Sequence, residues 1–334
     1  MSETLDYVKT FARFPFALRH FLRHTLTLEQ AKQIVRERME HREENFLLIA
    51  ERGIYGYPRS PYLPLLRSAR CELDDLRVLV KQKGLEGALC ELRETGVFFS
   101  FEEFKGRAPV VRRGLTFSVK PEAFNNPFSR RELAVESGGS SGTPTQIAMD
   151  LDQLAARAPH VTLTASVHGV LDAPLITWRG IIPDSTLNTF LMYASMHQPL
   201  GRWFSNVGLR DSKHWIKYGL ATYYVLLWMR LYGVNVPFPK YVSTPRAVEI
   251  ARAVADVLKT HRQCRLTTTV SRALRVCLAA QEAGLSLKGL VLMGGGEPIT
   301  PAKAHAIEST GARYFANYAF TEAGTLGNGC GHPI

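Results

Sequence analysis

The sequence predicts an α/β fold: a parallel β-α-β sheet preceded by a helical region. Three observations lead there. Strand-like and helix-like segments alternate at short spacing between Thr244 and Tyr318. Helical patterning fills the first third of the chain. A short strand at Leu133-Ala134-Val135 runs into a glycine- and serine-rich loop. The expected division is a helical region over 1–105 and an α/β core over 106–334.

In the helical region, Thr27-Leu28-Glu29-Gln30 has the form of a capping box, with Thr27 covering an orphan N–H and Gln30 reaching back. That helix should run to about Glu51 and stop near Gly53. A second helix is expected over Asp74 to Glu94, interrupted at Gly84 or Gly87 and ended by Gly96. These helices carry no evident chemistry and read as scaffold. From Gly106 the texture changes, and Val110-Val111 and Leu115 to Val119 read as short strands. The apolar run from Tyr218 to Met229 reads as a buried helix, too short for the ~20 residues a membrane span needs.

The last third is the most regular. Thr244-Pro245 should open a helix, with Thr as N-cap and Pro in the first turn. Leu266 to Val270 follows as a strand, and Ser271 should cap a helix ending near Gly284. Leu290 to Met293 is a strand, Thr300-Pro301 opens another helix, and Tyr314 to Tyr318 is the next strand. Ligands of open parallel sheets bind outside the carboxyl ends of the strands. That position draws attention to Gly294 to Pro298 and to Ala319 to Glu322.

Composition narrows the classes. Of 334 residues, 46% are hydrophobic and 21% charged, which excludes a disordered chain. The net charge of +11 suits polyanions: nucleotides, coenzyme A, nucleic acid or an acidic membrane face. The basic residues are scattered and no nucleic-acid module pattern occurs, so a nucleic-acid partner is not expected. Five widely spaced cysteines without a Cys-x-x-Cys pair indicate reduced thiols. With no secretory signal visible, a cytoplasmic location is expected.

The chemistry centres on Ser137-Gly138-Gly139-Ser140-Ser141-Gly142-Thr143-Pro144-Thr145. Its glycines let backbone N–H groups approach an anion, and its hydroxyls are neutral donors. It is not a Walker-type loop, because no Lys follows the last glycine. A flexible surface turn is the plain alternative. Gly138-Gly139-Ser140-Ser141-Gly142 also fits the Gly-x-Ser-x-Gly elbow, which would make Ser140 a hydrolase nucleophile. That elbow needs a helix directly after the serine, and Gly142-Thr143-Pro144-Thr145 is a poor helix opening.

The loop resembles the Ser-Ser-Gly-Thr-Thr-Gly-x-Pro-Lys signature of the adenylate-forming superfamily of acyl-CoA synthetases. Ser137, Gly139, Gly142 and Pro144 match, Ser140 and Ser141 keep a hydroxyl, Gly138 departs, and Thr145 replaces Lys. Thr at that place is similar to the phenylacetate–coenzyme A ligase-like branch. Gly295-Gly296-Glu297-Pro298 resembles the family's adenine- and ribose-lining turn. Tyr318-Ala319-Phe320-Thr321-Glu322 resembles its Tyr-Gly-x-Thr-Glu motif, with Ala319 in place of Gly.

The resemblance implies the large N-terminal-type domain of an adenylate-forming enzyme, with the small C-terminal domain absent. The chain stops at Ile334, before the family's ribose-binding Asp, hinge and catalytic Lys, so weak nucleotide binding and poor turnover are expected of it. It implies ATP and Mg²⁺, and coenzyme A as acyl acceptor. Ser137, Gly139, Ser140, Ser141, Gly142 and Thr143 would hold phosphate, and Gly295, Gly296, Glu297 and Pro298 the nucleoside. Tyr318 would pack on adenine, with Asn317 at its edge. Thr321 would meet the α-phosphate, and Glu322 would hold the Mg²⁺. These residues would activate a small-molecule carboxylic acid, aryl or fatty, for transfer to coenzyme A. In a variant similar to acyl-protein synthetases, a carrier or acceptor protein receives it; a serine hydrolase and a non-catalytic scaffold of the same fold stay open.

The large side chains between Trp178 and Phe204 suit either a core or an acyl pocket, with Tyr193 and His197 as pocket candidates. Cys330 and His332 have no further ligands nearby, so a zinc site is not expected.

Overall fold

A computed structural model describes residues 2–112, 114–128, 133–136, 146–181, 186–208, 215–320 and 324–330. Its helices are α1 (Ser2–Arg23), α2 (Leu28–Glu40), α3 (Arg42–Ala50), α4 (Tyr62–Ser68), α5 (Leu73–Glu94), α6 (Phe101–Phe104), α7 (Leu151–Val167), α8 (Thr186–Ser195), α9 (Trp215–Leu231), α10 (Ala247–Thr260), α11 (Val270–Glu282) and α12 (Pro301–Glu308). Its strands are β1 (Val110–Arg112), β2 (Leu115–Phe117), β3 (Leu133–Glu136), β4 (Gln146–Met149), β5 (Leu175–Trp178), β6 (Leu200–Ser205), β7 (Pro239–Tyr241), β8 (Cys264–Thr269), β9 (Leu290–Gly295), β10 (Arg313–Phe320) and β11 (Gly324–Asn328). The chain forms two compact units, Gln33–Ser129 and the remainder, Met1–Lys32 with Arg130–Ile334. These boundaries fall at 32/33 and 129/130, whereas the sequence reading drew its line at 105/106.

The unit Gln33–Ser129 is helical with one small hairpin, β1–β2. Ala50, Leu66, Leu76, Val80, Ala88 and Leu92 form its core. Gly84 has φ +69 and kinks α5 where the sequence placed an interruption. Glu103 is buried, and Arg112 bonds both of its carboxylate oxygens, at 2.8 and 3.0 Å.

The larger unit is built on a seven-stranded sheet in the order β11-β10-β9-β8-β5-β6-β7. All its pairings are parallel except β10–β11. Both faces are covered, as parallel sheets require. On one face, Leu175 and Trp203 pack with residues of α1, α7, α8 and α9. On the other, Ile176, Phe204, Leu266 and Leu292 pack with α10 and α11. Strand residues alternate between faces, so Leu175 and Ile176 serve different cores.

From β5 the chain steps outward to β6 and β7, returns through α10 to the opposite side of β5, then steps outward again through β8, β9 and β10. The order therefore reverses between β5 and β8, which opens a crevice at their carboxyl ends. Thr268 closes its floor by donating to the Trp178 carbonyl at 2.9 Å.

Three sequence expectations change. Thr269 occupies the N-cap position of α11, and Ser271 is its second helical residue, within the first turn. Thr244 lies within a short 3-10 turn whose N-cap is Ser243. The helix read over Tyr218 to Met229 is α9, and it is not buried all round: Leu220 and Leu227 face outward.

Candidate functional site

Strand β9 ends in Gly294-Gly295 because β10 lies too close for side chains there. A Cβ on Gly294 would run into the Tyr314 ring, and one on Gly295 would sit 2.9 Å from the Asn317 carbonyl. Gly296 then turns at φ +80 with nothing within 4 Å of its would-be Cβ, so this face of the turn is open. The turn directs Glu297 back toward α11. Its carboxylate accepts the Ser271 N–H at 3.0 Å and also the Ser271 hydroxyl.

An anion at a helix N-terminus satisfies an orphan N–H and meets the positive end of the helix dipole. Burial alone would raise the Glu297 pKa. Bonds from Ser271 and Thr269, with the charge of Lys303, overcome it and hold the group below the usual carboxylate range. Tyr314 donates to the Gly294 carbonyl at 3.2 Å, and burial, with the Glu297 charge, pushes its hydroxyl pKa up.

Strand β10 places Asn317 and Tyr318 beside that turn, with Ala316 in register with Gly294. Asn317 donates to Asn328 at 2.8 Å, which ties it to β11. Tyr318 is 70% exposed, its ring free for a planar ligand. Thus Gly295, Gly296, Glu297, Pro298, Asn317 and Tyr318 come together at adjacent strand ends. Ser137 to Thr145, including Ser140, and Thr321, Glu322 and His332 lie outside the described residues.

Elements flanking those segments are informative. Glu136 pairs with Gln146 in the antiparallel β3–β4 hairpin, which holds the two ends of the Ser137 segment together. The chain leaves that segment as the strand Gln146–Met149, where a nucleophile elbow needs a helix. Helix α7 follows, and its Arg157 guanidinium lies against Gly324, just past Glu322. Burial pushes the Arg157 pKa down. Thr164 of α7 accepts from Asn328 at 3.2 Å, and His168, stacked on Phe315 at 3.8 Å, meets the Gly329 carbonyl. Arg157 was passed over in the sequence because it stands in no motif; only the fold brings its charge to the hairpin. Arg272, which reaches the Trp178 carbonyl at 3.4 Å, was passed over for the same reason.

The pocket pair separates. Tyr193 is buried under the Arg265 guanidinium, 4.5 Å from its ring centre, while His197 is exposed in the turn after α8. On the same face, Thr177 Oγ1 and Trp203 Nε1 are neighbours across β5 and β6. Both are buried without a hydrogen-bond partner among the described residues. A groove of about 400 Å³ between α10 and β6–β7 contains none of the motif residues. Among the described residues no cluster of three or more His, Cys, Asp or Glu could hold a metal ion.

No family model matches the sequence, and no curated protein matches it. Among solved structures, the chain is similar to the amide bond synthetase McbA from Marinactinospora thermotolerans (12% identity, 59% of this chain and 31% of that one, TM-score 0.38). It is also similar to an acyl-CoA synthetase from Brucella canis (15%, 60% and 30%, TM-score 0.37). A third is McyG A-PCP complexed with phenylalanyl-adenylate (10%, 78% and 34%, TM-score 0.39). These neighbours are adenylate-forming enzymes, the superfamily that the motifs resemble. The chain spans about a third of each neighbour's length.

Proposed function

We propose that this chain activates a carboxylic acid with ATP. The carboxylate oxygen attacks the α-phosphorus, pyrophosphate leaves, and an acyl-adenylate forms. One observation carries the reading. The Gly295–Pro298 turn and Tyr318, apart in sequence, meet at adjacent parallel strand ends, where open sheets bind ligands. The close approach of Gly295 to β10 leaves the turn bare, and the exposed Tyr318 ring supplies a stacking surface beside it.

In this reading Tyr318 packs on adenine, with Gly296 and Pro298 along the nucleoside. Glu297 acts by holding the turn against α11, since its carboxylate is already engaged by Ser271. The Ser137–Thr143 segment grips phosphate, with Thr321 at the α-phosphate. Glu322 holds Mg²⁺, which offsets the charge that builds on the phosphate oxygens. Arg157 adds a cation against Gly324, at the start of β11. The acid lies on the α8 face, where the unpaired Thr177 and Trp203 groups suit one bearing polar atoms. The phenylacetate–coenzyme A ligase-like branch, carried by Thr145, makes coenzyme A the first acceptor to test and a carrier protein the second.

The test is carboxylate-dependent exchange of labelled pyrophosphate into ATP on the full-length protein, across aryl and fatty acids. Exchange that is lost in Glu322→Ala supports the reading. No exchange with any acid, together with ester cleavage lost in Ser140→Ala, overturns it in favour of a hydrolase.

A further inference from the structure

One row of side chains crosses four adjacent strands on the α8 face. Trp203 of β6 stands in register with Thr177 of β5, Thr177 with Thr267 of β8, and Thr267 with Met293 of β9. The two halves of the row differ. Trp203 and Thr177 are fully buried, whereas Thr267 and Met293 stay half-buried in a sheet with helices on both faces. Space therefore remains over β8 and β9 at this level. Gly295 lies two residues beyond Met293, ~7 Å along β9 and on the same face. A recess thus leads from the glycine turn down to the row.

The row is short of hydrogen-bond partners. Thr177 Oγ1 and Trp203 Nε1 have none among the described residues. The hydroxyls of Thr267 and Tyr193 meet the Met293 sulfur at 4.0 and 3.7 Å, and a thioether is a weak acceptor. Buried polar groups in native proteins are paired, so two adjacent orphans call for a partner from outside the chain. Trp203 Nε1 can only donate, and the Thr177 hydroxyl donates as readily as it accepts. The incoming group is therefore an acceptor. A hydroxyl or carbonyl oxygen meets that need without bringing charge into a buried place, which a second carboxylate would do. A plain alkyl or aryl end would leave both donors unpaired, and that discriminates against it.

We propose that the acid activated by this chain carries a neutral oxygen, hydroxyl or carbonyl, at the end remote from its carboxylate, and that Thr177 and Trp203 select it. This rests on the acid activation proposed above and narrows its substrate class. Strand β5 lies two strands from β9, so Thr177 stands ~10 Å across the sheet from the strand that carries the glycine turn. That separation puts the oxygen at the far end of the acid.

Pyrophosphate exchange by the full chain on matched acids tests it: para-hydroxybenzoate against benzoate, para-hydroxyphenylacetate against phenylacetate, and a hydroxylated against a plain fatty acid of equal length. Equilibrium dialysis of the same acids without ATP reads binding apart from reaction. The oxygenated member of at least one pair should show a kcat/KM about tenfold higher or more. Thr177→Val and Trp203→Phe should each cut that preference about fivefold, with the loss falling on the oxygenated acid. Thr177→Val exchanges an unpaired hydroxyl for a methyl, so it should melt no lower than wild type, and it carries the test should Trp203→Phe fail to fold. Equal kcat/KM within every pair, or a preference that survives in folded Thr177→Val, overturns the proposal and leaves the two donors to water. Failure of exchange with every acid overturns the proposed function instead. Dialysis then decides the selection by itself: tighter binding of the oxygenated acid that Thr177→Val abolishes supports it, and equal binding or none overturns it.

Discussion

The Glu297 carboxylate accepts the Ser271 backbone N–H at 3.0 Å, joining the turn after β9 to the first turn of α11. Twenty-six residues separate the two in sequence. This one contact fixes the glycine turn against the crevice, and its removal should be felt in both stability and nucleotide binding. Glu297→Ala is expected to cost about 1 kcal/mol in urea unfolding at neutral pH, the scale of a lost helix cap. Because the folded-state pKa lies below the ordinary 4.5, this contribution is complete above pH 4.5 and fades as the pH falls through the folded value. The wild-type and Glu297→Ala curves should therefore converge in acid. A gap that stays constant down to about pH 2 would mean that the ionised carboxylate is not what holds the turn.

Gly324 has φ +81, and the Arg157 guanidinium occupies the space where a side chain would go. Gly324→Ala should lower stability by about 2 kcal/mol, through left-handed strain together with the clash. Adding Arg157→Ala should return the steric part and leave the strain of ~1 kcal/mol. A double-mutant cycle by thermal unfolding reads this directly; strict additivity would separate the two residues.

Tyr318 distinguishes a binding role from a structural one. Its ring is mostly exposed, so Tyr318→Ala should change stability by no more than about 0.5 kcal/mol. In the proposed reaction the same change should raise KM for ATP about fivefold to tenfold through lost stacking. An unchanged KM in pyrophosphate exchange would remove Tyr318 from the nucleotide site.

Arg265 is fully buried on β8. It donates to the Ala173 carbonyl at 2.9 Å and to Gln198 at 2.7 Å, and it covers the Tyr193 ring. Burial pushes its pKa down. Arg265→Ala should cost about 3 kcal/mol, because it removes the packing and leaves buried acceptors unmade. Arg265→Lys should also destabilise, since an ammonium lacks the planar fork that reaches both partners while lying on the ring. Chemical denaturation of the two variants checks the order.

In the unit Gln33–Ser129, the Arg112 guanidinium holds the Glu103 carboxyl down at about 2, outweighing the cost of burial. That stabilisation is full above pH 4.5 and is lost as the pH falls toward 2. Glu103→Gln should cost about 2 kcal/mol at pH 7, since it removes the counter-charge bonded to a partly buried guanidinium. The deficit should shrink in acid, and titration of unfolding against pH would show a flat difference if Arg112 were not the partner.

Local signals were legible in the sequence. The Thr27–Gln30 box forms as read, with bonds of 2.9 and 3.2 Å, and Thr300 caps α12 by accepting from Lys303. Both depend only on residues within one turn. The capping read at Ser271 failed because Glu297, from a distant strand end, supplies the acceptor instead. The central strand β5 escaped notice because four residues, all buried, carry no alternating pattern.

The sequence by itself determined the α/β class, the alternation of α10, β8, α11, β9, α12 and β10, and the three motifs, because periodicity, caps and glycine turns are properties of short stretches. Only the tertiary structure decided that β5 stands between β6 and β8, that Arg157 reaches Gly324, and that α9 turns one apolar side to solvent. Each of these depends on which distant element packs against which. An apolar residue reads the same in sequence whether its face is covered or left open.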